Sequence, residues 1–522
     1  MTRLKKTFLI VIPIAMGLGF VGLIIAAHIL ARRIDPYVRQ QAILYLQRRF
    51  ESEVELASLR VSVPNTSAVK LLLNRGRGTM VQVEGAGVLL RHKGRHDVPP
   101  MFVMKRFTCE VDLGTLFDTP KIVRSVTVSG MEINIPPTGQ RPDLSRYSDD
   151  SAVNTEVIVQ EADITTSVLS IFPTERNQPP LRFELQHIKL ESVGKNVAMD
   201  YEAKLTNAKP PGQILSKGKF GPWAAGEPGY TPLQGEYEFS KADLGVFSGI
   251  AGILDSTGRF TGTLAAIEVQ GQASVPDFRL KMSGNRVPLK TQFQVLVDGT
   301  NGNTILKPVH GTLGTTNFST SGGIIRHGAD AARAIKLDVM MPKGNLKDLL
   351  GLAMKGAPFM EGQIFLQTTI DIPPLTRKVR EKLILDGQFN ITEAKFLRST
   401  IQDRIDELSR RGQGQPKNEE IDQVVSGMAG TFHLQNEVID FRALSFAIPG
   451  AGVDLAGSYN LDSDLLDFHG ALKLSAKVSQ TMTGWKRWAL KPVDPFFSKN
   501  GAGTFLRIKV TNTAKQPKFG LD

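Results

Sequence analysis

The chain has little cysteine, little tryptophan and none of the common catalytic motifs. Cys109 is the one cysteine in 522 residues, which excludes an intramolecular disulfide and a cysteine-built metal site. Three tryptophans leave little large aromatic ballast for several independent globular cores. No His-Glu-x-x-His, Gly-x-Ser-x-Gly or phosphate loop ending in Gly-Lys-Ser/Thr is present. The glycine pairs Gly85/Gly87, Gly450/Gly452 and Gly501/Gly503 lack a third glycine at dinucleotide spacing. His92 and His96 beside Asp97 come nearest to a metal set, but Arg91, Lys93 and Arg95 crowd them and Gly94 argues against a helix. A solvated basic loop is expected there, with no metal. No catalytic constellation assembles, so the expectation is a protein that is not an enzyme and holds no cofactor. An anchored enzyme would need a polar pocket that the sequence does not display.

Long helical patterns are scarce as well. Helices are expected over 345–354, over 399–411 on Ile401, Ile405 and Leu408, and over 419–428 on Ile421, Val424, Val425 and Met428. A polar loop, 412–418, separates the last two.

Period-two alternation is abundant instead. Phe293, Val295 and Val297 alternate with Gln294 and Leu296, and Ile335, Leu337, Val339 and Met341 with Lys336, Asp338 and Met340. In the run from Val126 to Ile135 the apolar parity flips at Gly130, which predicts a β-bulge or a tight bend. Many strands open on glycine, among them Gly235, Gly271, Gly362, Gly387, Gly430 and Gly457, without the fixed period of a propeller or leucine-rich array. The 49 Gly and 29 Pro suit many short strands and turns. The predicted fold is mainly β: an elongated, curled antiparallel sheet with one apolar face and a few short amphipathic helices. Three short helices cannot cover such a face. It either closes on itself as sandwiches or a barrel, or curls into a groove for an apolar ligand.

The net charge of +12 sits at the two ends. Residues 1–50 carry eight Lys/Arg against one Asp, and 471–522 ten against two acids, so the body between them is nearly neutral. The basic balance therefore does not argue for nucleic acid. Residues 7–31 hold no formal charge and would make roughly 37 Å of helix, enough to cross a hydrocarbon core of about 30 Å. The run is longer than the apolar region of a cleaved signal and leads directly into Arg32-Arg33, so a retained anchor is expected. The amino terminus is expected in the cytoplasm and the bulk of the chain outside.

An amphipathic segment over 32–52 would cover the end of the sheet or lie on the membrane with its arginines at head groups. Near the other end, Trp485 and Trp488 flank Lys486 and Arg487. They would plug the sheet end or, with Arg32 and Arg33, sit at a membrane interface.

This order of parts resembles the AsmA family. A basic tail, one membrane helix and the strand Val54-Glu-Leu-Ala-Ser-Leu-Arg-Val61 look like the start of its members. Phe107-Thr-Cys-Glu-Val-Asp-Leu-Gly-Thr-Leu116 with Ile122-Val-Arg-Ser-Val-Thr-Val-Ser-Gly-Met-Glu-Ile133 is similar to an early strand pair. The stretch 430–522 is similar to the family's carboxy-terminal region, through Leu444-Ser-Phe-Ala-Ile-Pro-Gly-Ala-Gly-Val-Asp-Leu-Ala-Gly457, Leu465-Leu-Asp-Phe-His-Gly470 and Gly501-Ala-Gly503. The resemblance implies a Gram-negative inner-membrane protein with its bulk in the periplasm and a repeating β-groove related to chorein-type lipid-transfer bridges. It implies phospholipid movement towards the outer membrane, and no catalytic residues.

The expected organisation is a cytoplasmic tail (1–6), an anchor (7–31), an amphipathic segment (32–52), a β-groove body (53–397), a helical insertion (398–429) and a carboxy-terminal β region (430–522). Acyl chains would lie along Phe293, Val295, Val297, Ile335, Leu337 and Val339, with membrane phospholipids and an outer-membrane or periplasmic protein as partners. The alternative is an assembly factor for the outer membrane whose groove is a packed core.

Overall fold

In the computed structural model, the described residues are 52–522 and part of 40–47, less chiefly 63–76, 116–120, 137–156, 173–179, 327–332, 418–422 and most of 484–502. The expected tail and anchor (1–31), with Arg32, Arg33, Arg487 and both Trp485 and Trp488, lie outside them. Among the described residues no helix is long and apolar enough to cross a membrane.

Twenty-three strands form one sheet in which each strand pairs with the next in the chain. The first six are β1 (Ser52–Ser62), β2 (Met80–His92), β3 (Phe102–Asp112), β4 (Lys121–Ile135), β5 (Val157–Ile171) and β6 (Leu181–Val193). There follow β7 (Met199–Ala208), β8 (Pro211–Phe220), β9 (Pro232–Asp243), β10 (Ile253–Thr263), β11 (Ala266–Val275) and β12 (Leu289–Val297). Next come β13 (Thr304–Leu313), β14 (Thr316–Arg326), β15 (Arg333–Asn345), β16 (Met360–Ile372) and β17 (Ile384–Phe396). The last are β18 (Ser426–Gln435), β19 (Val438–Ile448), β20 (Ala451–Asn460), β21 (Leu465–Leu474), β22 (Thr504–Thr513) and β23 (Gln516–Leu521).

All pairings are antiparallel except β4 with β5, which is parallel. β1 pairs only with β2 and β23 only with β22, so the sheet is open. At about 4.8 Å per strand it extends on the order of 100 Å. A sheet this long with two free edges rules out the barrel that the sequence left open.

Strands β1–β6 enclose a packed core. Phe102, Leu56, Leu90, Val83, Val123, Val159 and Leu190 are fully buried in it, joined by Leu46 from the short helical stretch before β1. Gly130 is the predicted bend: its φ is +67° and burial changes parity there, while the β3–β4 register runs unbroken past it. It belongs to a crease. Ala57, Gly87, Lys105, Gly130, Thr166 and Gln186 fall level with one another across β1–β6. Gly87 and Thr166 also have positive φ, +65° and +51°. One left-handed residue turns the strand and swaps its faces, so apolar residues on both sides of the crease still meet one core.

From β8 onward the larger buried clusters lie along one rim. This rim carries α1 (Leu346–Ala353) and α3 (Ser399–Gly412), whereas α2 (Val379–Lys382) lies on the opposite one. A short α4 (Asp494–Phe497) follows on the same rim as α1. Leu346 of α1 packs with Met341, Met360, Ile364, Ile391 and Ala394 beneath it, and Val424, Ile448, Ala451 and Leu474 pack beneath α3. Register shifts at Met341/Gly344, Glu361/Gln363 and Ile391/Ala394 bend the strand ends under these caps.

The helices expected at 345–354 and 399–411 are present, with Asn345 capping α1 by accepting from the Lys347 N–H. Of the helix expected over 419–428, residues 419–422 lie outside the described residues and the rest is not helical: β18 starts at Ser426, and the β-branched pair Val424-Val425 leads into it. Packing of α3 also differs from the expected apolar stripe. Ile405 and Leu408 pack on the cluster below, but the most buried positions are Gln402, Asp406 and Ser409. Asp406 accepts from the backbone N–H groups of Gln423 and Val424, at 2.9 and 2.8 Å. Gln402 Nε2 donates to the Val424 carbonyl, and Ser409 Oγ to the Pro449 carbonyl. The helix is held by satisfying loop backbone that would otherwise be buried unpaired.

Candidate functional site

One row of ladder partners crosses nearly the whole sheet on its apolar face. It runs Val61, Val83, Cys109, Val126, Ala162 and Leu190 through β1–β6. It continues as Tyr201, Gly218, Gly235, Phe260, Val269, Val295, Leu306 and Gly322. Leu337, Ile370, Leu385, Leu434, Ile439, Tyr459 and Leu466 complete it. No charged side chain interrupts these positions. Val83, Cys109 and Leu190 are 1–2% exposed; from Tyr201 on, every member except Leu434 is only half-buried. Cys109 belongs to the closed end, where burial pushes its thiol up to about 12, too high for reactivity.

The six sequence-predicted groove residues lie on this face. Val295 and Leu337 are in the row itself, Phe293 and Val297 flank Val295, and Ile335 and Val339 flank Leu337. All six are half-buried. They belong to one surface, spread over β12 and β15 with β13 and β14 between them, and do not converge on a pocket.

Three of the strand-opening glycines, Gly235, Gly271 and Gly387, have a steric reason that the sequence reading missed. A Cβ on Gly235 would come within 2.7 Å of the Phe260 ring, on Gly271 within 2.9 Å of Phe293, and on Gly387 within 2.7 Å of Phe432. In each case the ring belongs to the directly opposite residue on the next strand. The aromatic side chain lies across its partner glycine instead of standing off the sheet. The result is a shallow floor paved with rings. The signal was present in the sequence as Gly and Phe at matching parity on successive strands, but reading it requires the register.

The phenols on this floor are answered internally, whereas Thr320 Oγ1, opposite Val339, is buried without a hydrogen-bond partner. The Tyr201 hydroxyl meets Ser216 Oγ, and that Oγ donates to the Glu236 carbonyl. Tyr237, Ser256 and the Gln272 carbonyl repeat the arrangement. Burial raises both phenols, with the serine contacts opposing, so they stay neutral.

The opposite face is charged and laddered. Lys217 bridges Glu236 at 2.9 Å, Lys219 bridges Asp200 at 3.2 Å, and Lys307 bridges Glu268 at 3.0 Å. A shallow hollow of about 770 Å³ opens there beside Lys217, Glu236 and Arg259. Its hydrogen bond to Lys217 lowers Glu236 and raises the lysine, which describes a mutually satisfied pair, not an acid poised against a base. His96 faces Glu53 at 3.2 Å and Asp97 pairs with Arg95; the His92 side chain lies outside the described residues. Among the described residues no group of three or more His, Cys, Asp or Glu is placed to hold a metal. Lys486 is exposed.

No family model, no curated protein and no solved structure matches this chain.

Proposed function

We propose that the protein is a membrane-anchored lipid conduit, in which acyl chains lie along the half-exposed apolar row from Tyr201 to Leu466 while head groups stay near water. The observation that carries this reading is the continuity of that row, which crosses some fifteen strands without a charge. Each methylene removed from water contributes roughly 0.8 kcal/mol. A floor of near-equivalent apolar positions provides that affinity everywhere and concentrates it nowhere, as sliding requires.

The uncharged run at 7–31, the basic ends and the resemblance to AsmA proteins support the remaining parts of the proposal. These are an inner-membrane anchor, a periplasmic body and phospholipid passing towards the outer membrane without covalent chemistry. Mass spectrometry of the full chain, extracted in mild detergent, tests the reading. Phospholipid retained in stoichiometric amount is the expected result. Protein free of lipid would favour a purely structural role in outer-membrane assembly.

A further inference from the structure

The inner face is apolar along its length, yet two of its columns end in arginine at the rim opposite α1. On β14 the column is Gly322, Ile324, Arg326; on β15 it is Leu337, Ile335, Arg333. These residues are directly paired: Gly322 with Leu337, Ile324 with Ile335, and Arg326 with Arg333. Spacing by two keeps each arginine on the face of the isoleucine below it. On the flanking strands Thr304 pairs with Ile324 and Ile372 with Ile335, so the columns beside the two isoleucines stay uncharged. The Arg333 guanidinium lies over Gly302, where any added Cβ would collide with it. The backbone N–H of Arg326 donates to Asn303 Oδ1 at 2.8 Å, which ties the strand end to the same loop.

We infer that Arg326 and Arg333 form a lip site for the phosphate of an anionic amphiphile whose acyl chain lies along Ile324, Ile335 and Leu337. The inference rests on the conduit reading and adds a head-group chemistry to it. Two guanidiniums opposite one another in a ladder repel, and a shared phosphate reverses the sign of that interaction while accepting several N–H donors. Burial, then the neighbouring Arg326, pulls Arg333 below its usual value, in keeping with two crowded cations. An apolar column ending in paired cations matches an apolar chain ending in an anion, and the same chemistry could come from a phospholipid or from free phosphate.

The test uses the full chain in non-ionic detergent with fluorescent phosphatidic acid, diacylglycerol of the same chains, and inorganic phosphate. Wild type should bind phosphatidic acid more tightly than diacylglycerol. The double variant R326Q/R333Q should lose phosphatidic acid affinity by about tenfold or more with diacylglycerol unchanged. R326K/R333K should retain most of the difference, and the urea midpoint of all three proteins should agree, which separates binding from folding. Equal effects on both lipids, or no effect on either, would overturn the lip site while leaving the conduit standing. Inorganic phosphate binding as tightly as phosphatidic acid would also overturn it, since the chain would then contribute nothing. Failure of wild type to bind either lipid would sink the conduit reading and this site together.

Discussion

Strands β1–β6 and strands β8–β22 are built on the same alternation and end in opposite states. In the first region the inward residues meet one another and Leu46, and side chains as large as Phe102 and Leu90 are fully buried. In the second, Phe260, Val295 and Leu337 occupy the same row and remain half-open, with the buried clusters lying beneath α1 and α3. What differs is cover, not pattern. A crease lets six strands wrap their own face, whereas the later strands bend under their helical caps at Met341/Gly344, Glu361/Gln363 and Ile391/Ala394 and leave the floor half-open. The packed clusters are therefore concentrated in β1–β6 and along one rim, and the open face is available for another use.

The contrast makes graded predictions. Phe102→Ala should cost about 3–5 kcal/mol, because a fully buried ring leaves a cavity, and urea unfolding would register it. Asp406→Ala should cost about 1–3 kcal/mol by orphaning the buried Val424 N–H; a smaller loss would mean that water replaces the carboxylate. Gly271→Val should cost about 1–3 kcal/mol by driving the new Cβ against the Thr257 carbonyl and the Phe293 ring. The penalty should shrink in the presence of Phe293→Ala, and strict additivity in that double-mutant cycle would reject the ring-over-glycine account. Leu337→Ala should cost less than about 1.5 kcal/mol, since its side chain is only half-buried. A penalty equal to that of Phe102→Ala would erase the distinction between the two regions.

The smallest effect concerns the last strand. His469 Nδ1 meets Asp522 at 2.9 Å and Nε2 meets Asp467 at 3.3 Å. Its bond to Asp522 raises the imidazole and lowers that carboxylate. A raised histidine stabilises below its unfolded value of about 6.5 and loses the contribution as pH rises through its folded value. A lowered carboxylate contributes above about 4 and fails as pH falls through its folded value. The tether should therefore hold β23 best between these limits. Limited proteolysis should cut the carboxy terminus of H469N faster than that of wild type at pH 6, with the difference fading by pH 8.

Much of this was legible in the sequence because alternation reports facing directly. Phe293 through Val297 and Ile335 through Val339 read as one face and lie on one face, and the bend at Gly130 followed from a single parity change. Whether a face is covered depends on contacts far apart in the chain, which local patterning does not encode. For the same reason the partners of Gly271 and Gly387 appear only once register is known. The polar stripe of α3 was missed because Gln402, Asp406 and Ser409 look like a solvated face until the loop they satisfy is placed against them. A parallel step between β4 and β5 leaves no mark on the alternation at all.

Photo-crosslinking along the single row tests the central claim most directly. A crosslinking residue placed in turn at Val83, Leu190, Val295, Leu337 and Leu385 in the full chain expressed in cells should capture phospholipid at the last three and none at the first two. Absence of lipid at Val295, Leu337 and Leu385, or capture at all five alike, would contradict the account.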